Sequence, residues 1–172
     1  MKNKIFTSAI ALIGFIASSN AQVSATADVE ATIVTPIAIV KDLNGDMNFG
    51  NVAVTSLGGT VVLNPQTELR SLTGGVTLPV VTGTVRAASF TVSGQANYTY
   101  AITLPLGDLT IENPASDDMI VNEFASYPSA TGVLSELGDQ TLKVGATLNV
   151  SGLQPAGVYS SATPFDVTVN YN

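Results

Sequence analysis

The segment Val23-Ser-Ala-Thr-Ala-Asp-Val-Glu-Ala-Thr-Ile33 alternates strictly between apolar and polar residues. Successive side chains of a β-strand point to opposite faces of the sheet, so this period of two predicts a strand with one wholly apolar face. Such a strand has no earlier strand to pair with, and it must find a sheet edge in its own fold or in another copy. The apolar face consists of Val23, Ala25, Ala27, Val29, Ala31 and Ile33.

The residues before this strand have the features of a secretion signal. Lys2 and Lys4 are followed by an apolar run over residues 5–17, and Ser19-Asn20-Ala21 is a small-x-small cleavage site. We therefore expect residues 1–21 to be a signal peptide and the exported protein to begin at Gln22. The apolar run is too short for a good membrane span, so we expect no membrane insertion and an address in the periplasm, at the cell surface or outside the cell.

Charge and composition limit the partners and the chemistry. The whole chain has a formal charge of −7, and loss of Lys2 and Lys4 with the signal leaves −9, which argues against nucleic acid and anionic membranes as partners. The chain contains no His and no Cys. This excludes Ser-His-Asp triads, thiol enzymes and ordinary zinc sites. We expect a protein that is not an enzyme, without catalytic residues, metal or cofactor.

The rest of the chain predicts short strands separated by turns rich in Gly and Pro. No segment has a sustained apolar period of 3.6 residues, and we see no linker between domains. The fold class predicted is all-β: an immunoglobulin-like antiparallel β-sandwich over residues 36–172, with an N-terminal extension strand over residues 22–35. Strands are expected at 37–40, 47–54, 60–63, 75–81, 84–92, 98–104, 109–111, 117–127, 142–150 and 165–171, and a loop at 128–138.

The last predicted strand is the counterpart of the first. It also alternates, and its apolar face consists of Phe165, Val167, Val169 and Tyr171. Two alternating strands at the chain ends offer main-chain edges and apolar stripes, which is what β-strand addition between molecules requires. The alternative is that residues 23–33 pair within their own sandwich.

Several of these stretches resemble the spore coat protein U family and the related subunits of archaic chaperone–usher pili. The resemblance lies in the signal followed by an alternating strand, in Asp46-Met-Asn-Phe-Gly50, and in the ending Pro155-Ala-Gly-Val-Tyr159 with Phe165-Asp-Val-Thr-Val-Asn-Tyr-Asn172. The middle of the chain is more similar to an uncharacterised family of secreted bacterial domains. The stretches that carry this second likeness are Gly58-Gly59-Thr60, Leu72-Thr-Gly-Gly-Val-Thr-Leu78 and Ala88-Ser-Phe-Thr-Val-Ser-Gly94.

The resemblance implies an incomplete sandwich whose missing strand comes from a neighbour. The six apolar residues of the first strand would be the donor residues, and Phe165, Val167, Val169 and Tyr171 would line the acceptor edge. The function expected is that of an exported structural subunit of a fimbrial or coat-like assembly. Its partners would be further copies or related subunits, with a periplasmic assembly chaperone before polymerisation.

Two other functions fit the sequence. One is a self-contained, monomeric secreted binding domain for a polysaccharide, with residues 105–118 and 128–140 as its contact loops. The other, less favoured, is a hydrolase that pairs Asp117 and Asp118 with Glu112 or Glu123, although adjacent residues such as Asp117 and Asp118 point to opposite faces of a strand. The turn Asp42-Leu-Asn-Gly-Asp46 has the spacing that begins a calcium loop, but Met47 stands where such a loop needs Gly, so a hairpin turn is the better interpretation.

Overall fold

The computed structural model describes residues 22–172, and its compact unit comprises residues 34–172. The described residues 22–33 belong to a separate unit. They take part in no strand, and every one of them is exposed. The predicted signal peptide, residues 1–21, lies outside the described residues.

The compact unit is all-β, and its antiparallel sheets form a curled, sandwich-like arrangement, which confirms the predicted fold class. No helix is present between residues 22 and 172. The twelve strands are β1 (Ala38–Lys41), β2 (Ala53–Val54), β3 (Gly59–Leu63), β4 (Arg70–Leu72), β5 (Val76–Thr77), β6 (Ala88–Ser93), β7 (Thr99–Thr103), β8 (Leu109–Glu112), β9 (Asp118–Tyr127), β10 (Thr131–Val133), β11 (Asp139–Val150) and β12 (Thr168–Tyr171).

Strand β11 is the centre of the largest sheet. One of its edges pairs with β9. Its other edge pairs with β6 in the first half and with β3 in the second half, so two strands share that edge end to end. Strands β1, β4 and β8 extend the sheet beyond β6, β3 and β9. Strands β10, β7 and β12 form a second sheet, and β2 and β5 form a small third one.

A β-bulge lies where β11 changes partners. Between Gly145 and Thr147 the pairing with β9 shifts by one residue, and Glu123 adopts a positive φ of 50° there. The Thr147 hydroxyl donates a hydrogen bond of 2.9 Å to the Glu123 carboxylate. Glu123 therefore has a structural partner at the bulge.

The core divides into two clusters along β11. The first cluster lies between the largest sheet and the second sheet. The second cluster lies toward the C-terminal end of β11. The buried residues of the first are Val92, Tyr100, Leu134, Leu142 and Val169, and those of the second are Val61, Val76, Val121, Ala146, Leu148 and Val150.

The structure contains strand β10 within residues 128–138, where the sequence predicted a loop. Gly132 lies opposite Tyr100 in the β10–β7 pair, and a Cβ at this position would collide with the Tyr100 ring. Glycine leaves room for the ring, whose hydroxyl donates a hydrogen bond of 2.7 Å to Gln140 Oε1. The prediction was wrong because a glycine in a short, small-residue stretch looks like a turn until its partner strand is known.

Other differences concern strand lengths. Strand β4 was not predicted, since Arg70-Ser-Leu72 has little apolar content and forms an edge strand. The strand predicted over 75–81 is reduced to the two residues of β5. Pro79 and Gly83 follow closely, and neither residue type favours a long paired strand.

Leu142 is completely buried in the first cluster, so its truncation tests the packing of β11. We expect Leu142→Ala to lower the free energy of unfolding by about 2–5 kcal/mol, because it leaves a cavity. The matched control is Leu106→Ala, at a fully exposed leucine, which should change stability by less than about 0.5 kcal/mol. Urea denaturation measures both, and equal losses would contradict this account of the core.

Burial raises the pKa of the Tyr100 hydroxyl, because desolvation disfavours the phenolate. The folded-state pKa therefore exceeds the unfolded value of about 10, and the stability from the neutral hydroxyl is complete below that pH and is lost as pH rises through the folded pKa. We expect Tyr100→Phe to be less stable than wild type at pH 7 by about 0.5–1.5 kcal/mol. The difference should shrink above about pH 10 in thermal melts. A constant difference between pH 7 and 11 would contradict this.

Candidate functional site: an open apolar groove

A large groove lies over the second core cluster and is open to solvent. Its volume is about 1170 Å³. The floor is formed by side chains of β8, β9 and β11, and two irregular segments, residues 45–54 and 154–165, form the walls. The apolar residues of the floor are Leu109, Ile111, Met119, Val121, Phe124, Leu148 and Val150.

The first wall follows β1 in the chain and carries Met47, Phe49, Val52 and Val54 toward the core. Its backbone is bonded to the segment 82–86: Asn48 bridges to Arg86, and the Asn51 N–H donates to the Thr82 carbonyl. The Arg70 guanidinium adds hydrogen bonds to the carbonyls of Phe49 and Asn51, at 2.6 and 2.9 Å. This wall is well anchored.

The second wall is anchored at its beginning only. Ser160 bridges to Glu112 of β8. The Tyr159 hydroxyl donates to the Pro155 carbonyl at 2.7 Å and accepts hydrogen bonds from the side chains of Gln154 and Asn113.

Beyond Ser160 the second wall has no backbone partners. Within the described chain, residues 161–167 form no backbone–backbone hydrogen bond until β12 pairs with β7 at Thr168. Backbone amides and carbonyls are obligatory hydrogen-bonding groups, and those of residues 161–167 have no backbone partner here, although Pro164 carries no N–H. This segment is an unpaired edge beside an apolar groove.

Phe165 holds this segment in place with its side chain. Its ring lies 5.0 Å from that of Phe124 and 6.5 Å from that of Phe90, both measured between centroids. The wall is therefore attached by an aromatic contact and not by a ladder of hydrogen bonds.

The other predicted residues of the C-terminal strand lie on the same core-facing side. Val167 is half-buried against the first cluster, and Val169 is buried within it. The Tyr171 ring packs edge-on against Tyr98, 5.6 Å between centroids, and its hydroxyl donates to the Thr35 carbonyl at 2.8 Å. Of the four residues predicted to line an acceptor edge, the structure places Phe165 on the groove.

Strands β1 and β12 are terminal strands of their sheets, so each leaves one edge unpaired. Unpaired edges are templates for the addition of a further strand. The N-terminal residues predicted as a donor are free of any strand in the described chain, and Val23, Val29 and Ile33 are 92%, 97% and 98% exposed. An exposed apolar stripe and an open apolar groove thus occur in one molecule.

The groove is suited to an extended peptide. Its volume exceeds the 300–1,000 Å³ that is usual for small-molecule pockets, and its floor is apolar. Carboxylates elsewhere are engaged by neighbouring side chains: Asp42 accepts hydrogen bonds from Ser89 and Thr91, and Asp117 accepts one from Asn113. No group of three or more potential metal ligands occurs among the described residues.

Strands β8 and β10 occupy parts of residues 105–118 and 128–140, the two predicted contact loops of the polysaccharide-binding alternative. The 113–117 turn lies near the C-terminal end of β11, and the 134–138 turn leads into its N-terminal end. The start of the second loop lies beside the end of β7, which leads into the first, because the Ile102 N–H donates to the Ala130 carbonyl at 2.8 Å.

Sequence reasoning missed the groove itself. It identified Asp46–Gly50 and Pro155–Tyr159 as two separate similarities to pilus and coat proteins, and the structure places these stretches on opposite walls of one groove. Their distance in the chain hid this relation. The two motifs could be recognised in the sequence, but nothing in the sequence indicated that they face each other.

Comparison with known protein families identifies one family whose model matches most of the chain. Residues 37–171 match the family described as Domain of unknown function (DUF4402). No curated protein and no solved structure matches the chain. No helix among residues 22–172 is long and apolar enough to cross a membrane.

Proposed function

Since this chain belongs to the DUF4402 family, which is defined without an activity, its function must be inferred from the groove, and we propose that it is a structural subunit that assembles by β-strand addition. Residues 23–33 of one copy occupy the groove of the next. The observation that carries the proposal is the run of unpaired backbone at residues 161–167 beside the apolar floor.

The donor and the acceptor have matching chemistry. An incoming strand supplies hydrogen bonds to the free edge of residues 161–167 and places its apolar face on the half-buried Leu109, Met119 and Phe124 of the floor. Burial of each larger donor side chain contributes about 1.5–3 kcal/mol. With Val23, Val29 and Ile33 buried together, the joint between two copies is long-lived.

The proposal includes an exported protein, since the leader-like residues 1–21 precede the donor strand. The assembly is fimbrial or coat-like, and it resembles spore coat protein U and archaic chaperone–usher pili in this arrangement. The partners are further copies or related subunits, and a periplasmic assembly chaperone would cover the groove before polymerisation. The protein performs no catalysis in this function.

The donor strand is tested with a charge on its apolar face. We expect the full chain, expressed with its own residues 1–21 and purified after export, to form fibres in negative-stain images and a ladder on unheated SDS gels. Val29→Asp should abolish both, because it places a carboxylate on the apolar floor. The matched control is Thr32→Asp, which adds the same charge to the polar face and should leave the fibres intact. Fibres from Val29→Asp equal to those of wild type would refute the donor role.

The acceptor is tested in the same non-polymerising variant. A synthetic peptide of residues 22–33 should bind the Val29→Asp chain and protect the amides of residues 161–163 and 165–167 from hydrogen exchange, because these amides gain partners. A peptide carrying Val29→Asp is the control and should not protect them. Protection confined to another edge, such as β4, would place the acceptor elsewhere.

A further inference from the structure

Strands β1 and β12 lie next to each other, with Cα atoms within 8 Å, but they belong to different sheets and do not pair. Along an antiparallel strand, residues that bond to the neighbour alternate with residues that do not. The Asp42 N–H donates to a β6 carbonyl, so the backbone groups of Ile39 point away from β6. The Asn172 N–H donates to a β7 carbonyl, so those of Tyr171 point away from β7. We call the space between these two unpaired strands the seam.

The seam begins where the groove ends. Lys41, the last residue of β1, and Phe165, shortly before β12, both line the groove. Next to them along the chain, Ile39 and Val167 pack against the first core cluster. Groove and seam therefore border each other, and apolar side chains continue from one into the other.

The side chain of Tyr171 closes the seam at its other end. Its hydroxyl donates to the Thr35 carbonyl at 2.8 Å and accepts from the Gln95 backbone N–H at 2.6 Å. The Thr35 N–H is held as well, because it donates to Gln95 Oε1 at 3.2 Å. Gly94 leaves room for the hydroxyl, since a Cβ at this position would collide with it. We call these three hydrogen bonds the clasp.

The predicted donor is longer than the groove. Between Val150 and the partner of Phe90, which mark the two ends of the groove, β11 spans about 26 Å. An extended strand over residues 23–33 spans about 36 Å. At the Val150 end the two walls are joined by a hydrogen bond from the Leu153 N–H to the Thr55 carbonyl at 3.0 Å. The excess of about 10 Å, close to three residues, therefore extends toward the seam.

The seam has no room for a strand while the clasp is closed. Hydrogen-bonded strands lie about 4.8 Å apart, so a strand inserted between β1 and β12 would hold them about 9.6 Å apart. Their Cα atoms now come within 8 Å of each other. The two strands must separate to admit a donor, and the clasp opposes this because it ties Tyr171 of β12 to Thr35, three residues before β1.

We infer that the Tyr171 clasp is an autoinhibitory contact of the acceptor, which opens when a full-length donor strand is seated. The inference rests on the proposed function and concerns the regulation of the same site. A donor that must open the clasp binds more weakly than its contacts allow, because only molecules with an open clasp accommodate all of it. In the free subunit, the closed clasp keeps two adjacent strand edges from pairing with other chains.

Removal of the Tyr171 hydroxyl tests the clasp by calorimetry with the synthetic peptide of residues 22–33. We expect the full chain carrying Val29→Asp/Tyr171→Phe to bind this peptide about fivefold more tightly than the Val29→Asp chain, because at least one net hydrogen bond no longer opposes opening. The matched control is Val29→Asp/Tyr98→Phe. The Tyr98 ring packs against that of Tyr171, but its hydroxyl forms no hydrogen bond with the described residues, so the affinity should stay the same.

Hydrogen exchange reports on the clasp in the Val29→Asp chain, where Tyr171 is intact. The Gln95 amide donates to the Tyr171 hydroxyl, so its protection should be lost when the chain is saturated with the peptide of residues 22–33. This measurement needs no change at Tyr171 and therefore remains decisive if Tyr171→Phe weakens the fold.

The outcomes separate the clasp from strand addition itself. If the peptide binds the Tyr171→Phe and Tyr98→Phe chains equally well and the Gln95 amide stays protected, the clasp does not restrain the acceptor, and strand addition still stands. A peptide that binds none of these chains would overturn the proposed function, and this inference with it.

Discussion

The pairing of β11 on both edges is the constraint on which the other elements depend. Its edge opposite β9 is divided between β6 and β3, so a single strand of twelve residues joins both core clusters. Its consecutive buried residues around Ala146 are explained by this central position, because both faces of the strand are covered there. The bulge at Glu123 adjusts the twist of β9 where β11 changes partners.

This arrangement gives the second cluster a less regular cover than the first. The first cluster has the three-stranded sheet above it, whereas the second has two irregular walls and the small β2–β5 sheet. Segment 161–167 borders this cover, and its backbone has no backbone partner in the described chain. Most of its residues are exposed, so water satisfies their polar groups, and the segment is the least paired part of the second wall.

The proposed function makes two opposing demands on this edge: it must accept a strand, yet an exposed edge also invites unwanted pairing. Phe165 holds the wall against Phe124 and Phe90, which positions the edge without supplying the hydrogen bonds that an added strand would form. The small alanines that alternate with valines in residues 23–33 fit a strand that must lie close to a sheet, because small side chains allow close approach.

The all-β class, the apolar stripe of residues 23–33 and the core-facing side of β12 could be predicted from the amino-acid pattern, because they follow from the two-residue period of a strand. The same pattern identified Asp46–Gly50 and Pro155–Tyr159 as notable stretches. Three features became known from the folded chain alone: these stretches face each other across one groove, Gly132 belongs to a strand, and residues 161–167 lack backbone partners in the described chain. The reason is physical: local periodicity specifies which face of a strand is apolar, but pairing joins residues distant in the chain, and an absent partner leaves no mark in the local sequence.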